Sequence, residues 1–165
     1  MGKRSNFERR ERDFHPTPYA AVVPLLPHLP PRARYHEPCV GDYDLVRHLS
    51  GHGHHASVMS DITSGKDALD ITFTIADMFI TNPPWRRDIL HPVIEHLSGI
   101  APTWLLFDAD WMHTKQSAPF MPYCQKIVSV GRVKWIPDSK MTGKDNCCWY
   151  LFDQSRCEPT EFYGR

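Results

Sequence analysis

The sequence predicts an α/β protein built on a mostly parallel sheet that ends in an antiparallel hairpin. Three observations carry the prediction. Apolar runs over 75–80 and 101–108 have the length of buried strands. Segments 45–49 and 87–97 carry apolar residues at helical spacing, and strands alternating with helices favour a parallel sheet. The last two strand-like runs, 126–136 and 147–152, are joined by a polar, glycine-containing loop without a helix. That pattern makes them a hairpin placed at a sheet edge.

At 165 residues the chain is long enough for one domain with a sizeable core. Residues 1–13 separate as a charged arm, with Lys3, Arg4, Arg9, Arg10 and Arg12 interspersed with Glu8, Glu11 and Asp13; residues 14–165 form the domain. Hydrophobic residues at 41% and charged residues at 23% are ordinary for a soluble globular protein. No apolar run is long enough to span a membrane and no secretory pattern is present, so a cytoplasmic location and no membrane partner are expected. The five cysteines are odd in number and lack metal-ligand spacing, which reads as reduced thiols and no metal site. A formal net charge of zero argues against a strongly basic face but allows local basic patches. Arg86-Arg87 is one. Arg132, Lys134, Lys140 and Lys144 form another, read either as a solvated edge that protects the sheet or as a phosphate-contacting surface.

In chain order, Thr17 is expected to cap a short helix over 20–27, with Pro18 at its first position and Pro24 interrupting it. A strand begins at Arg34 and gives way to a turn through Gly41. The following helix, 45–49, stops at Gly51. The Gly-His-Gly-His-His stretch at 51–55 lacks an acidic or cysteine partner at ligand spacing and reads as a solvated turn. A second strand, 56–60, ends at Asp61, and 67–70 is a loop or one helical turn. Strand 75–80 runs into Thr81-Asn82-Pro83-Pro84-Trp85. Helix 87–97 follows, with Pro92 limiting its first turn, and then strand 101–108. Asp108 and Asp110 either line a crevice or belong to a structural loop. Trp104, Trp135 and Trp149 fall in strands and are expected in the core.

The chemistry concentrates after the 75–80 strand. Neither Pro83 nor Pro84 can donate to a sheet ladder, so the strand must stop there. A stiff loop results at the carboxyl end of a strand, where open α/β sheets place their ligands. It offers an amide side chain, a proline-fixed carbonyl and an aromatic face, which suits a flat amino-bearing ring. Asn-Pro also marks ordinary turns, with Trp85 then a core anchor. The neighbouring strand ends contribute Glu37 to Gly41, Asp61 and the Asp67 region. A glycine turn followed some twenty residues later by an acidic strand end suits ribose hydroxyls. Asp42 and Asp44 beside that turn would repel a pyrophosphate, so the expected ligand lacks phosphate.

In this order the motifs resemble those of S-adenosylmethionine-dependent amino-methyltransferases, specifically the phage-type DNA adenine-N6 methyltransferases. The matching stretches are Pro16-Thr17-Pro18, Glu37-Pro38-Cys39-Val40-Gly41-Asp42-Tyr43, Asp61, Asp67-Ala68-Leu69 and Asn82-Pro83-Pro84-Trp85, which together cover most of the chain. Tyr43 stands where that family has glycine. The resemblance implies a single Rossmann-like methyltransferase domain acting on adenine in DNA, flipped out or single-stranded. It implies S-adenosylmethionine as cofactor, held by Thr17, Pro18, Glu37, Pro38, Cys39, Gly41, Asp61, Asp67 and Asn82. The Asn82 oxygen and the Pro83 carbonyl would accept the amino protons, Pro84 would stiffen the loop and Trp85 would stack on the ring.

About forty residues separate Gly41 from Asn82 and no long insert follows, so a separate target-recognition domain is not expected. Base contacts would then come from short loops, a second copy of the chain or a partner protein. Methylation of an RNA adenine or a protein glutamine by the same pocket is one alternative; a catalytically idle binding protein, favoured by Tyr43, is another. If the chain is phage-encoded, its place would be the host cytoplasm.

Overall fold

The computed structural model describes residues 15–165, and the charged arm over 1–13 lies outside the described residues. Seven strands form one sheet: β1 (Arg34–Glu37), β2 (His55–Met59), β3 (Met78–Thr81), β4 (Thr103–Asp108), β5 (Cys124–Arg132), β6 (Asn146–Phe152) and β7 (Glu161–Tyr163). Their order is β2-β1-β3-β4-β6-β5-β7. β1 pairs parallel with both β2 and β3, β3 with β4, and β5 with β7. β6 is antiparallel to β4 and β5. The α-helices are α1 (Tyr19–Val22), α2 (Asp44–Ser50) and α3 (Arg87–Ser98).

Each face of the sheet is covered because the helices carry apolar stripes. On α3, Leu90, Val93, Ile94 and Leu97 recur at helical spacing and are buried against Phe79, Leu105, Phe107, Tyr150 and Phe152. Pro92 sits inside this helix without breaking it. On the other face Leu45 and Leu49 of α2 join Val22 and Leu25 over Tyr35, Ile80, Leu106 and Trp149. The Trp149 indole N–H donates to the Ala21 carbonyl at 2.7 Å, which fastens the α1 segment to the middle of the sheet. His36, on β1, is buried with its ring nitrogens beside Ser60 and Thr74 hydroxyls.

Several local expectations are corrected. The 126–136 and 147–152 strands pair antiparallel, but not at an edge: β6 inserts between β4 and β5, and β7, which the sequence reading missed, covers β5. The near-continuous burial of β6 requires neighbours on both sides. β5 stops at Arg132, just after Gly131 takes a left-handed φ of 87°. Trp135 therefore lies outside the strand and is half-buried, whereas Trp104 and Trp149 are core. β3 starts at Met78 because β1 begins only at Arg34, so residue 75 has no strand beside it and Ile75 is exposed. Pro18, not Thr17, is the N-cap of α1. His54 is buried and accepts the Ala33 N–H at 3.1 Å, a structural use that a solvated turn does not describe.

Trp149→Phe removes the donor to Ala21 and leaves a buried carbonyl unpaired. It should lower stability by about 1–3 kcal/mol in urea denaturation.

Candidate active site

β1, β2, β3 and β4 run in one direction, so their carboxyl ends open along one side of the sheet. The chain passes from β1 outward to β2, then crosses back to β3 on the other side of β1. The switch in direction falls between β1 and β3, where an open α/β sheet forms its ligand crevice. Glu37 ends β1, Asp61 follows β2 and Asn82 follows β3.

The first two loops are laced together. Ser60 N–H donates to the Glu37 carbonyl and Val40 N–H to the Ser60 carbonyl. Gly41 N–H donates to Asp61 Oδ2 at 3.0 Å, while Asp61 Oδ1 accepts the Thr63 N–H and hydroxyl. The turn itself is left-handed twice, with φ of 54° at Gly41 and 69° at Tyr43. The second value explains why a glycine suits position 43: a side chain there strains the backbone. Asp67 Oδ1 accepts the Leu69 N–H and starts a short 3₁₀ turn. The charges of Glu37, Asp61 and Asp67 all oppose ionisation of the Cys39 thiol. Burial, more than these charges, pushes that thiol up to about 12 and keeps it protonated.

Glu37 is almost completely buried, and its Oε1 accepts the Cys39 N–H at 2.9 Å. Burial pushes its carboxyl up to about 8; the nearby Thr81 hydroxyl and the Cys39 N–H oppose the shift, and Asp61 adds to it. The Thr81 hydroxyl favours the charged form by proximity, yet makes no hydrogen bond of normal geometry among the described residues. At neutral pH Glu37 is thus largely an uncharged brace beneath the turn, with buried Pro38 next to it.

At the second loop, the amide of Asn82 is oriented by its partners. The Trp85 indole N–H can only donate, and it points to Asn82 Oδ1 at 3.3 Å. Asn82 Nδ2 donates to Thr17 Oγ1 at 3.1 Å and to the His15 carbonyl at 3.4 Å. Both amide protons are therefore committed, and the oxygen keeps one lone pair. Pro83 is buried, and Trp85 meets Trp135 edge to face with centroids 5.5 Å apart. Arg87 donates to the Trp85 carbonyl and to Asp108 Oδ2, the latter at 2.6 Å. Arg86 pairs with Asp88 at 2.6 Å, so the two arginines that the sequence offers as a basic patch each have a carboxylate partner. Asp108 also caps Trp111, which makes it a structural residue at the rim.

Two participants escaped the sequence reading: the His15 carbonyl and Trp135. A backbone carbonyl leaves no mark in sequence. Gly131 in an alternating run was the available signal that the strand ends before Trp135.

No protein-family model matches the sequence, and no curated protein matches it either. Its structure is similar to that of a presumed RNA methyltransferase from Pyrococcus horikoshii, at 16% identity and a TM-score of 0.53, over 82% of this chain and 80% of that one. The fold is that of a methyltransferase. Two weaker likenesses have a TM-score of 0.49 each. A dimethyladenosine transferase from Plasmodium falciparum is 12% identical, over 85% of this chain and 62% of that one. A type I restriction-modification methyltransferase subunit from Streptococcus thermophilus is 8% identical, over 88% of this chain and 45% of that one.

Two outcomes check the site. Unfolded, the Glu37 carboxyl titrates near 4.5, and folded near 8. The folded state keeps a proton that the unfolded state has lost, so this group makes stability fall as pH rises through that window and adds no slope above it. Glu37→Gln should flatten the decline in melting temperature between about pH 5 and pH 8. Tyr43→Gly relieves the left-handed strain at some cost in chain entropy, and should be neutral to stabilising by up to about 1 kcal/mol in urea denaturation.

Proposed function

We propose that this chain transfers a methyl group from S-adenosylmethionine to the N6 amino group of adenine in DNA. The observation that carries the reading is the committed Asn82 amide. With both protons spent on Thr17 and His15, the side chain presents a ligand with an acceptor only. An acceptor-only group selects a donor, as an exocyclic amino group is, and discriminates against a ring nitrogen that carries no proton.

The cofactor fits the residues present. The left-handed turn at Gly41 and Tyr43 and the nearby carboxylates of Asp61 and Asp67 suit a cationic ligand without phosphate. Neutral Glu37 supports the turn without adding a third charge. Asp61 would hold ribose hydroxyls and Asp67 the adenine amino group, with Pro18, Pro38, Cys39 and Gly41 lining the walls. S-adenosylmethionine, when bound, supplies an electrophilic methyl group.

The amino nitrogen of adenine is a poor nucleophile because its lone pair is delocalised into the ring. Asn82 Oδ1 and the Pro83 carbonyl accept its two N–H bonds, which localises the lone pair and aims it. Trp85 offers a ring to stack on, and Pro84 keeps the loop from yielding. The N–CH3 bond would form as the S–CH3 bond breaks, leaving S-adenosylhomocysteine as the neutral thioether, and the methylated nitrogen would release one proton to water. Positioning and directed hydrogen bonds supply the acceleration, without a strong general base. A duplex adenine must be flipped to reach such a loop, or the substrate is single-stranded. The exposed cations Arg132, Lys134 and Lys140 flank Trp135 in sequence and would contact phosphates. Target selection would come from short loops, a second copy or a partner protein.

The test is transfer of labelled methyl to unmodified DNA, RNA and protein, followed by nucleoside mass spectrometry. N6-methyladenine in DNA is expected, falling about 10²–10³-fold in Asn82→Ala while cofactor binding by calorimetry persists. Label only in RNA or protein would overturn the substrate, and full transfer by Asn82→Ala would overturn the mechanism.

A further inference from the structure

The amide of Asn82 is held from a part of the chain sixty-five residues away in sequence. Thr17 is 5% exposed, and its hydroxyl oxygen accepts from Asn82 Nδ2 at 3.1 Å. The His15 carbonyl takes the second amide proton. Pro16 and Pro18 flank Thr17 and restrict the backbone on both sides, so the acceptor pair is presented by a stiff segment. On its far side α1 continues directly from Pro18 and is fastened to the sheet by Trp149. The strap is therefore anchored independently of the loop it grips.

We infer that Thr17 is a positioning residue that holds the Asn82 amide in the orientation selected by the Trp85 indole and the His15 carbonyl, and is not a ligand of the cofactor. The inference rests on the reading of Asn82 given under the proposed function. An asparagine amide can turn over by half a rotation and exchange its acceptor for a donor. With the Trp85 indole alone, the oxygen orientation has one partner. With Thr17 and His15, the reversed amide would face a carbonyl with an oxygen and meet the indole N–H with an N–H. The His15 carbonyl and the Trp85 indole are thus what make the wrong orientation costly; the Thr17 hydroxyl, which can accept or donate, holds the amide where those two partners meet it. Thr17 is buried against the amide it holds, and its hydroxyl proton is the group it could offer a cofactor.

Two variants are compared with the wild type: Thr17→Val, which keeps the shape and removes the hydroxyl, and Thr17→Ser, which keeps the hydroxyl. Two readouts are taken. Single-turnover methyl transfer to an adenine-containing oligonucleotide, with S-adenosylmethionine binding by calorimetry, separates rate from affinity. Proton–nitrogen correlation spectra of the Asn82 side-chain amide and the Trp85 indole report the lock without needing activity. Expected for Thr17→Val is a rate loss of roughly tenfold to a hundredfold at unchanged cofactor affinity, with shifted amide and indole resonances. Thr17→Ser should restore both. Weakened cofactor binding at an unchanged rate would make Thr17 a cofactor ligand and overturn the inference. Unmoved Asn82 and Trp85 resonances in a folded Thr17→Val protein would overturn it as well. If the wild type transfers methyl to no substrate, the functional reading fails, and the spectra still decide whether the lock exists.

Discussion

Two backbone donors are missing at the end of a fully buried parallel strand, and the arrangement of the site follows from their absence. β3 is covered on both faces and flanked on both edges, so nothing but its own chemistry can end it. Pro83 and Pro84 do so by withholding N–H groups that a ladder needs. The chain then leaves the sheet at the point where the strand order reverses, between β1 and β3. Asn82 is fixed at the rim because the residues after it cannot rejoin the sheet or start a helix before Arg87.

The rim is rigid for a second reason. Its polar groups satisfy each other before any ligand arrives. Asp61 closes the β1 turn through Gly41, Glu37 braces it from below through Cys39, and Arg87 ties the Trp85 carbonyl to Asp108. Such bonds leave few groups that must reorganise on binding, which is the condition under which fixed dipoles act strongly on a reacting centre. Burying Glu37 is the cost of this design, and it is limited because the carboxyl keeps its proton at neutral pH.

Strands β1 to β6, α2 and α3 were legible because they rest on local signals: run length, helical spacing and proline. What the sequence concealed was non-local. β6 between β4 and β5 differs from an edge hairpin only in what lies beyond β5, and β7 is too short and polar to announce itself. Trp135 reads as a strand residue by alternation, although Gly131 ends the strand. The β1 turn is joined to Asp61 through Gly41 and to Glu37 through Cys39. Thr17 was legible as part of the site, but its partner was not, because no periodicity connects it with Asn82.

That partnership changes how the loop is understood. An Asn-Pro-Pro-aromatic stretch by itself supplies an amide of undetermined orientation, and the same residues would serve a donor or an acceptor on the ligand. Orientation comes from the indole of a tryptophan three residues later and from the His15 carbonyl in the strap ahead of α1. The orientation of the Asn82 amide is therefore a property of two chain segments that meet only in the fold. Trp85 joins them in a further way, since it packs against both core layers while its indole N–H reaches Asn82. The ring that fixes the Asn82 oxygen is thus itself fixed by packing on both faces of the sheet.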